Sequence, residues 1–377
     1  MKLLIITEGF FPGKKYGGPP VSVNNLCSLM NDYDCRVVAR NHDLGESEPY
    51  ADIHEGWNDR GNCKVCYLSD SDYSQGQLTS IVKDLQPDIL YLQSMFSRST
   101  IPALTIARKF DIPVLLAPRG ELCAGAMKKK YKKIPYLLYL RAFRLTKNVA
   151  FQYTSSDELN GIRKYLGHSV KCYSLPNVAS RPLEPFCHQP KKPQSAHFAF
   201  ISRIVPKKNL RYAIELFKNI IGNVSFDVYG PAEDGKYFEI CQDAWKKLPM
   251  NVTVAYKGAV KQEEVAKIFS HYDGFIFPTH SENYGHVIAE ALSAGCPVLV
   301  SDQTPWTFEN HEAAGSAIPL SDEASWTDAI QRIVDADDNE MIQMRKDAVD
   351  YFISAASFDE AKSSYSGAFQ SLIEDRS

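Results

Sequence analysis

Short apolar runs recur along this chain, each closed by glycine, proline or polar residues, with helically spaced stretches between them. In the first half the runs are Leu3–Ile6, Cys35–Val38, Cys63–Leu68, Ile89–Leu92 and Val114–Leu116. Continuous runs of this length suit strands buried on both faces. Val21–Met30 and Ser80–Leu85 read as helices between them. Strand alternating with helix predicts a parallel sheet wound on both faces. Arg181–Ala196, with four prolines, two lysines and few apolar residues, reads as a linker.

The pattern then restarts. Phe198–Ile201, Phe226–Tyr229, Thr253–Tyr256, Phe275–Phe277 and Val298–Val300 read as strands. Asn209–Ile221, Glu263–Ser270 and His286–Ala294 read as helices, the last stopped by Gly295 and Pro297. Phe358–Asp375 is a final amphipathic helix. The expected layout is one Rossmann-like domain over 1–180, a linker over 181–196, a second such domain over 197–357, and a terminal helix over 358–377. Two such domains leave a cleft, and ligands bind beyond the carboxyl ends of the strands. No solenoid repeat or low-complexity tract interrupts the pattern.

Composition adds little to fold and something to partners. The 377 residues are 44% apolar and 23% charged, an ordinary globular balance. No run is long enough to span a bilayer, and the start is too short for a signal peptide, so a cytoplasmic location is expected. The nine cysteines are scattered, and Cys63 and Cys66 fall on opposite faces of one strand, which argues against a disulfide framework or a zinc set. The net charge of −3 hides an asymmetry. Residues 1–180 are basic and the remainder acidic, with nine cations between Arg119 and Lys147 opposed only by Glu121. That local excess points to an anionic partner of the first half.

The stretch from Pro278 to Val298 carries the most chemistry. It reads as strand, loop, helix, strand, with Glu282 in the loop and Glu290 more than one turn into the helix. A helix start offers unpaired N–H groups and a favourable dipole to a phosphate. Carboxylates accept paired hydroxyl hydrogen bonds, so acids flanking a diphosphate suit a nucleotide-sugar. The plainer alternative is that Glu282 caps the helix and Glu290 is solvated.

This text resembles the retaining glycosyltransferases of family 4, which have the GT-B fold. Glu282 and Glu290 match the E-x7-E element, Glu282-Asn-Tyr-Gly285 matches its E-x-F/Y-G loop, and Glu290 to Val298 matches E-A-x-A-x-G-x-P-V. Ser202-Arg203 to Lys208-Asn209 resembles G-R-x-x-x-x-K-G, departing at Ser202 and Asn209 while keeping both cations. The resemblance implies two Rossmann-like domains facing across a cleft, with the C-terminal helix crossing back to the first. It implies that Arg203 and Lys208 neutralise the donor diphosphate, with Glu282 as a third catalytic residue. Glu290 would hold the ribose, and Asn283, Tyr284, Gly285, His286 and Val287 the rest of the donor. Gly17 and Gly18, after the first strand, match a G-G element that meets the donor phosphate.

Many relatives carry a histidine on the acceptor side where this chain has Pro118-Arg119-Gly120-Glu121. Arg119, with Ser94 after the preceding strand, is therefore an acceptor-side candidate; it holds an anionic acceptor or pairs with Glu121. No cofactor or metal is expected to be required, and the D-x-D strings Asp70–Asp72 and Asp335–Asp337 read as surface acids. Lys128 to Lys133 followed by Ile134–Leu140 mixes cations with apolar rings, which suits peripheral contact with the inner face of an anionic membrane or, equally, a basic loop before a core helix. The expected reaction is transfer of a hexose-type sugar from a nucleoside diphosphate sugar, UDP favoured over GDP, to a glycan or lipid-linked acceptor in polysaccharide synthesis. A GT-B epimerase and a non-catalytic nucleotide-binding subunit are the alternatives. A dinucleotide oxidoreductase and a P-loop protein are not expected, since neither G-x-G-x-x-G nor a P-loop follows the first strand, and no nucleic-acid partner is expected.

Overall fold

The computed structural model describes residues 1–123, 125–127, 130–179 and 190–375. Most of the expected linker and the cations Lys128 and Lys129 lie outside the described residues. The chain divides into a first unit, 1–178 with 358–377, and a second, 179–357.

The first unit runs β1 (Lys2–Ile6), α1 (Gly18–Leu29), β2 (Asp34–Arg40), β3 (Trp57–Asp59), β4 (Lys64–Leu68), α2 (Gln75–Leu85), β5 (Ile89–Gln93), α3 (Thr100–Phe110), β6 (Val114–Ala117), α4 (Lys130–Ala142), β7 (Val149–Tyr153), α5 (Ser156–Leu166) and β8 (Cys172–Ser174). The sheet order is β3-β4-β2-β1-β5-β6-β7-β8. All pairings are parallel except β3 with β4, a three-residue edge strand too short to leave a periodic signal. Alternation sends Leu4 and Ile6 into one core with α2–α5, and Leu3 and Ile5 into the other with α1. Cys63 and Cys66 likewise divide between the two cores.

The second unit runs β9 (Ser195–Ile201), α6 (Leu210–Glu215), β10 (Asn223–Tyr229), α7 (Gly235–Trp245), β11 (Val252–Gly258), α8 (Gln262–Phe269), β12 (Gly274–Phe277), α9 (His286–Ser293), β13 (Val298–Ser301), β14 (Gly315–Ile318), α10 (Glu323–Asp335) and α11 (Asp338–Ala356). Its order, β11-β10-β9-β12-β13-β14, is parallel throughout. The helix expected over Asn209–Ile221 is broken into α6 and flanking 3-10 turns at Pro206–Lys208 and Leu216–Asn219.

The chain ends with α12 (Phe358–Glu374), which belongs to the first unit. Ala361, Tyr365, Ala368, Phe369 and Leu372 fill the core on the α1 side, beside Tyr91, Leu115 and Ala150. A parallel sheet must be covered on both faces, and α12 covers the half that α1 does not reach.

Candidate functional site

In the second unit strand order reverses between β9 and β12, and the loops after these two strands carry most of the candidate residues. After β9 the backbone passes through Ser202 and Arg203 into the Pro206–Lys208 turn. Asn209 then takes φ +58, the left-handed region that glycine enters freely and asparagine tolerates. That explains how Asn209 stands where the related pattern has glycine. The Lys207 carbonyl accepts from His280 N–H at 2.9 Å and Thr279 Oγ1 at 3.2 Å, which ties the β9 loop to the β12 loop.

This tie brings Lys208 to Glu282. Their side chains form an ion pair with relative exposures of 11% and 18%, and the ammonium also lies 5.0 Å from the Phe277 ring centroid. Burial pulls the Lys208 ammonium below its ordinary value, against the opposing pull of Glu282. The Glu282 N–H donates to the Gln303 carbonyl at 3.0 Å and its carboxylate is held by Lys208, and Glu282 does not cap α9. Arg203 is half exposed and pairs with Glu233 at 3.2 Å.

Gly285 leads α9 at φ +81, and a Cβ there would stand 2.8 Å from Ile288 Cδ1 and 3.2 Å from Glu282 Cγ. Only glycine lets the loop close this tightly against Glu282. No side chain caps the start of α9, where His286 and Val287 are partly exposed, as is Tyr284; Asn283 is exposed. Trp306 Nε1 donates to the Tyr284 carbonyl at 2.5 Å and its ring packs on Tyr284. Glu290 is buried on the next turn rather than solvated. Burial pushes its carboxyl up to about 8, and Gln262 Nε2, at the start of α8, donates to its Oε1.

In the first unit the reversal falls between β1 and β5. Gly17 has φ +72, and nothing lies within 4 Å of where its Cβ would stand. Gly18 already opens α1, which starts three residues earlier than the apolar pattern indicates. Pro19 and Pro20 suit a first turn, where N–H groups need no helical partner. The preceding loop is pinned by Asp43, which accepts from Lys14 N–H at 2.8 Å and Lys15 N–H at 3.0 Å.

Arg119 does not pair with Glu121. Its Nε and Nη2 donate to Gln93 Oε1 at 2.9 and 2.6 Å, and its Nη1 to Asn177 Oδ1 at 2.5 Å. Glu121 instead accepts from Ser94 Oγ at 2.8 Å and Met95 N–H at 2.6 Å; burial raises its carboxyl above the ordinary range. Ser94, at φ +90, thus spends its hydroxyl on Glu121. Glu158 is engaged by Gly120 N–H and by Thr154. The D-x-D acids are engaged locally: Asp70 by Arg40 and His42, Asp72 by Ser69, Asp335 by Gln194 and Gln331, and Asp337 as the cap of α11. Among the described residues no three His, Cys, Asp or Glu side chains are arranged to hold a metal ion.

Arg203, Lys208, Glu282, Asn283–Val287 and Glu290 therefore gather at one sheet edge in the second unit. Gly17, Gly18, Ser94 and Arg119 gather at the corresponding edge of the first. Sequence reasoning missed Gln262, Glu233, Asp43 and the bond from Arg119 to Asn177. Each meets its partner across a long chain separation or from an unremarkable loop, so no local pattern marks it.

Residues 187–351 match the family model of glycosyl transferases group 1. The chain is 27% identical over 113 residues to the sulfoquinovosyl transferase SQD2 of Arabidopsis thaliana, a match covering 30% of this chain and 20% of that protein. The chain thus spans about a fifth of the length of that curated relative. Sucrose-phosphate synthase from Thermosynechococcus elongatus superposes with a TM-score of 0.71 at 15% identity, covering 99% of each chain. Anabaena HepE, solved in complex with UDP and glucose, superposes with a TM-score of 0.67 at 13% identity, covering 98% of this chain and 100% of that one. The second unit thus carries the match to glycosyl transferases group 1, and the chain has the GT-B fold.

Proposed function

We propose that this GT-B chain with its glycosyl transferases group 1 domain is a retaining hexosyltransferase. It takes a sugar from a nucleoside diphosphate, UDP rather than GDP, and passes it to a hydroxyl of a glycan or lipid-linked acceptor. The observation that carries this reading is the meeting of the Lys208–Glu282 pair with the uncapped start of α9 and the buried Glu290 at one strand-order reversal. Lys208 and Arg203 supply positive charge where the diphosphate gains negative charge as the glycosidic bond breaks. The α9 N–H groups add to it, Glu282 with Asn283–Gly285 holds sugar hydroxyls, and Glu290 takes the ribose hydroxyls. The leaving phosphate oxygen accepts the acceptor's proton as the new bond forms on the same face, so no protein nucleophile is needed. The bound UDP of Anabaena HepE favours uridine.

A lipid-linked acceptor is supported by α4. Tyr131 and Leu138 of α4 and Phe143 just after it are 71%, 58% and 57% exposed, and Arg141, Arg144 and Lys147 line one hollow. Apolar rings beside cations suit an anionic bilayer surface. No helix among the described residues is long and apolar enough to cross a membrane. Co-sedimentation with phosphatidylglycerol vesicles, and its loss in Leu138→Glu, tests the contact; equal sedimentation of both proteins would remove it.

The central test is a thermal-shift screen of UDP, GDP and ADP and their sugars, followed by incubation of the preferred sugar nucleotide with and without lipid extract. Transfer that needs the extract is the expected result. Conversion of the sugar nucleotide alone would favour an epimerase, binding without turnover a non-catalytic subunit, and no binding would end the reading.

A further inference from the structure

Arg119 is a guanidinium fixed in place that pairs with no carboxylate of the described residues. It stands after β6 at φ +53, beside Ser94 at φ +90 after β5. Non-glycine residues held in the left-handed region cost on the order of 1–3 kcal/mol each and cluster at functional sites. Its acceptors are all neutral: Gln93 Oε1, Asn177 Oδ1 and, at 3.5 Å, the Tyr91 hydroxyl. Behind them Tyr91 donates to Gln152 Oε1, Gln152 Nε2 donates to Tyr365 of α12 at 2.9 Å, and Tyr365 donates to the Pro176 carbonyl at 2.9 Å. This chain of bonds runs into the core, so the guanidinium has little freedom to turn elsewhere.

Two acids that bond the backbone around Arg119 are spent: Glu121 on Ser94, Met95 and Phe96, and Glu158 on Gly120 and Thr154. No carboxylate of the described residues pairs with Arg119. A second, independent sign lies beside it. Gln93 is 3% exposed, and its Nε2 has no acceptor among the described residues. Buried polar groups are nearly always bonded, and a partly buried cation without a counter-ion is costly. Gln93, Asn177 and Tyr91 leave one Nη1 N–H of Arg119 to spare, so an anion with two acceptor oxygens can meet that N–H with one and the Gln93 amide with the other, and carboxylate and phosphate both offer such a pair.

We propose that Arg119 and the Gln93 amide bind an anionic group, a carboxylate or a phosphate, on the molecule that receives the sugar. This rests on the reading of the first unit as the acceptor side. It makes the acceptor an acidic sugar or a phosphate-bearing glycan or lipid headgroup rather than a neutral one.

The test is calorimetry on the full chain saturated with UDP, titrated with glucuronate and glucose, and with glycerol 1-phosphate and glycerol. One of the two anions should bind at least tenfold tighter than its neutral counterpart, and which one does so separates carboxylate from phosphate. Arg119→Gln should lose that preference while binding UDP as before; Arg119→Lys should keep part of it. Melting curves check that each variant folds. If neither anion outbinds its neutral counterpart in the wild type, the proposal is overturned whatever the variants do. It is also overturned if a folded Arg119→Gln keeps the preference. The UDP arm, with Glu290→Ala as its control, reports on the donor reading separately, so either can fail alone.

Discussion

Lys208 and Glu282 neutralise each other across 74 residues of chain, with the Lys208 ammonium also resting against the Phe277 ring. The pair gives the site an internal counter-ion, which a diphosphate bound as proposed would share or displace.

Lys208→Ala leaves Glu282 sheltered and unpaired. The second unit should lose roughly 2 kcal/mol, less than the ~3–5 kcal/mol of a fully buried pair because both side chains retain some water contact. Turnover should fall on the order of a hundredfold or more, as when one charge-stabilising donor is removed. Urea unfolding and initial rates measure the two effects. In Lys208→Met/Glu282→Gln the stability should largely return and the turnover should not.

Gln262 acts through Glu290. Removing its amide in Gln262→Ala frees the carboxyl to turn and deprives it of a donor that favours the charged form. UDP affinity should drop about tenfold, the net worth of a hydrogen bond to a charged group, with kcat little changed. The pH at which binding reaches half its maximum should move upward. An unchanged pH midpoint would assign Gln262 a packing role only.

Burial holds the Glu290 carboxyl at about 8 against an ordinary 4.5. Below the ordinary value, folded and unfolded chains both carry the proton. Between the two values only the folded chain does, so stability falls as pH rises and the loss is complete above about 8. Glu290→Gln should flatten this slope in urea titrations across that window. If ribose hydroxyls bind the carboxylate, UDP binding near neutral pH should release up to about one proton, readable by calorimetry in buffers of different ionisation enthalpy. Absence of release would remove Glu290 from the ribose.

Gly230 closes β10 at φ +128, and a Cβ there would fall 1.9 Å from the Ser202 carbonyl oxygen. Gly230→Ala must push back the backbone that carries Arg203. Both strain and clash oppose it, and a loss of about 3 kcal/mol or more is expected. A chain that melts within a degree of wild type would show that this loop yields freely.

The sequence by itself determined the two α/β units, most of their strands and the acids and cations at the strand ends. Those features are written locally, in apolar runs, glycine stops and residue types at fixed spacing around Arg203, Lys208, Glu282 and Glu290. Tertiary structure decided which partner each charge takes. Arg119 turned to Gln93 and Asn177 rather than to the adjacent Glu121, Glu121 turned to Ser94, and Gln262 reached Glu290. It also decided that β3 runs antiparallel on the edge of the first sheet and that Val149–Tyr153, Cys172–Ser174 and Gly315–Ile318 add further strands. The reason is range: backbone periodicity acts over one or two turns or a few strand residues. Hydrogen bonds and ion pairs are chosen by distance and desolvation after the sheets have brought remote segments together.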